Sequence, residues 1–77
     1  MNIAAFKARQ VADAEAQAAR YRAEARADRK KADAALRFGD RAGHDRWMRQ
    51  ARMCDQWARE SEQAAEDFRA INAEVLA

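Results

Sequence analysis

Leu36-Arg37-Phe38-Gly39-Asp40-Arg41-Ala42-Gly43-His44-Asp45 is the one stretch that interrupts an otherwise helix-forming chain, and it holds both glycines of a sequence with no proline. A glycine can take the left-handed conformation that closes a helix, and an aspartate directly after it can cap the next one. Gly39 and Asp40 therefore place a turn. Gly43 and His44 weaken the helical turn that follows and Asp45 offers a second cap, so the turn is expected over about residues 39–43.

Outward from that turn the chain reads as two long helices, about 2–38 and about 44–76, which together make a single helical-hairpin domain. Neither arm contains a breaker, and both are rich in alanine, the strongest helix former. Asn2 stands where an N-cap is wanted. Favourable pairs, acid four residues before base, occur at Asp33 and Arg37, Asp45 and Arg49, and Asp55 and Arg59. The fold class is all-α, an antiparallel two-helix hairpin of coiled-coil type.

The two arms also fit each other. In heptad spacing Ala4, Val11, Ala18, Ala25 and Ala32 fall on one seam of the first helix, with Ala14, Tyr21 and Ala35 beside it. The second helix offers Trp47, Ala51, Cys54, Ala58, Ser61, Ala65, Phe68, Asn72 and Val75. Folding back at Gly39 sets Ala32 near Trp47, Ala25 near Cys54, Tyr21 near Ala58, Ala14 near Ala65, Val11 near Phe68 and Ala4 near Val75. Large residues then lie opposite small ones, as a close pair requires. Asp28 is the misfit on this seam.

A chain of 77 residues has little core to spare, and most of its 49% hydrophobic content is alanine, which buries little area. Ile3, Phe6, Leu36, Met48, Met53, Trp57, Ile71 and Leu76 fall off the seam, and leftover apolar surface of this kind marks association. A homodimer closing into a four-helix bundle is one expected outcome, and a groove on a larger protein is the other.

The chemistry-bearing residues are few. There is one histidine, one cysteine and one hydroxyl-bearing serine, Ser61. His44 and Cys54 stand about 15 Å apart along one helix, too far to work as a pair. Metal-ligand spacings such as Glu-x-x-His, and phosphate-binding glycine loops, are missing from the sequence. No enzymatic activity, metal or cofactor is expected. Cys54 alone cannot form an intramolecular disulfide, and no segment reads as a membrane span or signal peptide, so a reducing cytoplasm is the expected location.

Charge is unevenly placed although the net charge is only +2. Residues 20–52 hold eleven Lys or Arg against five Asp or Glu, and residues 53–77 hold two against six. Arginine outnumbers lysine twelve to three, which favours planar contacts with carboxylate or phosphate. The candidate partner-binding residues are Arg22, Arg26, Arg29, Lys30, Arg37, Arg41, Arg46, Arg49 and Arg52. The carboxylates Glu60, Glu62, Glu66 and Asp67 read as a solvated face, and Trp47 as a core residue.

These features describe an interaction protein that binds a larger protein or nucleoprotein complex through its arginines and leftover apolar groups. A small phage or mobile-element inhibitor of a nucleic-acid-handling complex is one form it would take. Direct binding of phosphate backbones by the basic turn end is the alternative, and a coiled-coil spacer is a third.

Overall fold

The computed structural model describes residues 2–76, with side chains described as far as Glu74. Two helices, α1 (Ile3–Arg37) and α2 (Arg41–Leu76), run antiparallel in a rod with principal extents of 57 × 17 × 12 Å. There is no strand among the described residues. The expected hairpin is the fold.

The ends of the helices follow from local hydrogen bonding. Asn2 caps α1 by accepting the Ala5 N–H on its Oδ1 at 3.3 Å. At the other end Gly39 has φ +77°, the left-handed conformation for which glycine carries no steric cost. Its N–H donates to the Leu36 carbonyl at 3.0 Å, and the Asp40 N–H donates to the Ala35 carbonyl at 2.8 Å. These two bonds form a Schellman closure and satisfy carbonyls that the helix end leaves unpaired.

Asp40 also opens α2. Its carboxylate accepts the Gly43 N–H at 2.8 Å and its carbonyl accepts the His44 N–H at 3.0 Å. The turn is therefore shorter than residues 39–43: Phe38, Gly39 and Asp40 suffice, and Gly43 and His44 already belong to α2. Glycine at position 43 suits the cap, because a Cβ there would run into the Asp40 carboxylate. Asp45 is not the cap and lies beside the His44 ring.

The core is the alanine seam. Its buried apolar residues are Ala18, Ala25 and Ala32 from α1 with Ala51, Cys54, Ala58 and Ala65 from α2, and Cys54 is the largest fully buried side chain. Ala25, Ala51 and Cys54 form one cluster, as the expected register requires. Near the open end the Asn72 amide reaches the Lys7 carbonyl at 3.4 Å in the same register. The proposed contact of Ala4 with Val75 and the exposure of Leu76 lie outside the described side chains. Asp28 is buried on the seam at 3% exposure.

Among the described residues three cross-helix ion pairs flank the seam: Glu15 with Arg69, Arg22 with Glu62, and Arg29 with Asp55. Both members recur at every seventh residue, so all three pairs lie on one broad face. Asp55 meets Arg29 and not the residue directly alongside, because in antiparallel helices both side chains lean back toward their own N-termini. This interaction replaces the expected Asp55 to Arg59 pair. Among the described residues Asp33 and Arg37, and Asp45 and Arg49, form no ion pair either.

Asp40→Ala removes the cap on Gly43 and should lower stability by about 1 kcal/mol. Urea unfolding followed by circular dichroism reads this directly.

Candidate functional surfaces and the Asp28–Cys54 cluster

The two broad faces of the hairpin differ. One carries the three ion pairs. The other carries exposed or half-buried Tyr21, Trp57, Phe68 and Ile71, with no ion pair bridging the helices on that side among the described residues. The Tyr21 and Trp57 rings sit 5.5 Å apart at 49°, a favourable tilted aromatic contact, and Gln17 donates to the Tyr21 hydroxyl at 3.1 Å. A shallow groove lined by Asp13, Gln17, Ala64 and Phe68 continues along this face toward the open end.

The off-seam residues remain at least partly exposed as expected: Ile3, Phe6, Leu36, Met53, Trp57 and Ile71 are exposed and Met48 is half-buried. Phe38, in the turn, is 89% exposed, more than any of these. Its position immediately before Gly39 is the signal for that, since the chain leaves the helix there.

The nine candidate basic residues do not form one surface. Arg22 and Arg29 are committed inside the hairpin, Arg22 to Glu62 at 2.7 Å and Arg29 to Asp55. Arg26, Lys30, Arg37, Arg41, Arg46, Arg49 and Arg52 are exposed and form no ion pair among the described residues. In heptad terms Lys30 and Arg37 point outward from α1 and Arg49 from α2, with Arg26 and Arg52 on the ion-paired face and Arg46 on the opposite one. The arginines encircle the turn half of the rod. The acidic residues Glu60, Glu66 and Asp67 are exposed as expected, and Glu62 is engaged by Arg22.

Between the helices the seam carries one polar cluster. Glu24 and Asp28 stand one turn apart on α1, and Cys54 enters from α2 opposite Ala25. The Cys54 thiol donates to an Asp28 carboxylate oxygen at 3.9 Å, and the ligand atoms of all three residues lie within 4.8 Å of one another. A cleft of about 370 Å³ opens beside them, lined by Glu24, Asp28, Lys31, Arg46, Trp47 and Gln50. Trp47 is half-buried and carries the Lys31 ammonium 4.5 Å above its ring, a cation–π contact. Spacings along one helix do not disclose this cluster, because its third member comes from the other arm. The register that sets Ala25 against Cys54 does contain it.

The Cys54 thiol is pushed above its ordinary value of 9.0, chiefly by burial and then by the negative charges of Glu24, Asp28 and Asp55 and the hydrogen bond to Asp28. It is a protonated, shielded thiol at neutral pH and not an activated nucleophile.

Fold and surfaces together define an α-hairpin with one face bridged by ion pairs, one face that carries most of the exposed apolar side chains, and a basic turn half. Among the described residues no helix is long and apolar enough to cross a membrane. Comparison of the chain with protein-family models, curated proteins and solved structures finds no match.

Because folding raises the Cys54 pKa, the folded state holds the thiol proton more tightly than the unfolded chain does. The thiol's contribution to stability is intact below about pH 9 and declines as pH rises beyond it. Urea unfolding from about pH 7 to about pH 10 should show an alkaline loss of stability that is smaller in Cys54→Ala.

Proposed function

We propose that the protein is a non-enzymatic interaction module in which two hairpins pair through their open faces into a four-helix bundle. The arginines left outside that interface engage an acidic surface of a larger protein. The difference between the two broad faces is the observation that carries this reading. Ion pairs bridge one face, where Leu36 is the exposed apolar side chain, whereas the other presents Tyr21, Trp57, Phe68 and Ile71, which a second helical hairpin would cover.

Three further features support a second copy as the occupant. A core of six alanines and one cysteine leaves a lone hairpin little buried area, so the chain gains most from further burial. The open face measures at most 57 by 17 Å, on the order of 900 Å², close to the ~800 Å² that each partner buries in a standard interface. Charge on this side comprises Lys31 and Arg46 near the turn, Glu24, Arg20 and Glu60 toward the middle, and Asp13 and Asp67 near the open end. A two-fold axis across the middle of the face sets the basic end of one copy beside the acidic end of the other and brings the two Trp57 rings together. Arg26, Lys30, Arg37, Arg49 and Arg52 then remain displayed near each end of the bundle.

Sedimentation equilibrium tests the pairing. The wild-type chain should run at about 17.6 kDa, twice the 8.8 kDa chain, and Trp57→Glu should give a helical monomer. A wild-type monomer at about millimolar concentration contradicts the pairing. For the arginines, a labelled acidic polypeptide should bind the wild type and not the Arg26→Glu, Arg49→Glu, Arg52→Glu triple variant. Preferential binding of duplex DNA with a steep loss as salt rises would transfer the arginines to phosphate recognition.

A further inference from the structure

Asp28 is the residue that the hairpin does not explain. Its side chain is 3% exposed on a seam whose buried residues are otherwise alanine and Cys54, yet among the described residues it forms no ion pair and accepts no backbone N–H. Of the basic side chains nearby, Arg29 pairs with Asp55 and Lys31 lies over Trp47, while Arg46 is exposed at the rim of the cleft and forms no ion pair with Asp28. The one hydrogen bond to Asp28 is the weak donation from the Cys54 thiol, a member of the same cluster. A carboxylate taken out of water without a positive partner is costly, and such groups in proteins are paired or coordinate metals. Here the surroundings are a second carboxylate, a thiol and an open cleft. They lack a cation.

We propose that Glu24, Asp28 and Cys54 bind one divalent metal ion of the zinc class, clamping α1 to α2. The donor set selects the ion, since a sulfur ligand favours zinc and its transition-metal neighbours over calcium or magnesium. Distances agree with tetrahedral coordination. Zinc–sulfur and zinc–oxygen bonds of ~2.3 and ~2.1 Å imply a sulfur-to-oxygen separation of ~3.6 Å, and the Cys54 sulfur stands 3.9 Å from the Asp28 oxygen. Glu24, exposed and one helical turn from Asp28, needs only side-chain torsions to close the remaining span of at most 4.8 Å.

Three protein ligands leave a fourth position facing the cleft beside Trp47 and Gln50, where water completes the shell. Binding removes the thiol proton to solvent and forms a thiolate–metal bond in its place, so affinity rises with pH. Because ligands come from both helices, the ion stabilises the hairpin only when α1 and α2 are docked. This proposal stands on the cluster alone and is independent of self-association.

Cobalt(II) serves as the probe, added to the full chain after treatment with a chelator. A thiolate-to-cobalt charge-transfer band should grow to saturation at one ion per chain and be bleached by zinc, and zinc should raise the melting temperature. Cys54→Ser should abolish the band. Glu24→Gln and Asp28→Asn should each weaken binding at least ~10-fold. Glu24 is exposed, so its variant keeps the proposal testable even if substitution at Asp28 disturbs packing. Absence of the band at about millimolar cobalt, or a band unchanged by both carboxylate substitutions, would overturn the assignment.

Discussion

The close approach of two helices along a seam of alanine is the constraint on which the rest of the structure depends. Alanine contributes little buried area, but its small side chain permits a close approach of the two helices. Flanking side chains then span the pair, as Arg22 does to Glu62 and Asn72 does to the Lys7 backbone. Packing is thus exchanged for reach. The ion pairs are exposed or part-buried and contribute at most ~1 kcal/mol each, so their larger role is to disfavour shifted registers that would bring like charges together.

The same constraint makes the molecule two-sided. A seam with almost no bulk cannot absorb Tyr21, Trp57, Phe68 and Ile71, which therefore remain on the unsealed face. It also admits Asp28 and Cys54 to the space between the helices, where larger neighbours would have filled it. Interaction surface and polar cluster are two consequences of one thin core. Each offers a route to stability that a 77-residue hairpin otherwise lacks, one through a second copy and one through an ion.

Much of this was legible in the sequence. Gly39 and Asp40 located the turn, and the heptad spacing of Ala18, Ala25 and Ala32 against Ala51, Cys54 and Ala58 located the seam and its register. Gly43 and His44 misled, because their weak helix propensity suggested a longer turn, whereas the Asp40 carboxylate caps Gly43 directly. Arg22 and Arg29 read as surface arginines because their acidic partners, Glu62 and Asp55, stand on the other helix. Setting Glu15, Arg22 and Arg29 against Asp55, Glu62 and Arg69 across the hairpin exposes their complementarity, since both series repeat every seventh residue with opposite sign. Asp28 was visible as a misfit. Its meaning needed the other helix.

The most direct test of the register uses the single native cysteine. Ala25→Cys places a second thiol in the cluster with Cys54, and mild oxidation followed by non-reducing electrophoresis reads which chains become linked. The account predicts an intramolecular disulfide, a monomer band of altered mobility that reverts on reduction, with Ala18→Cys giving none. Failure of Ala25→Cys to close within one chain, or closure only between chains, would contradict the hairpin register from which the ion pairs, the open face and the Asp28–Cys54 cluster all follow.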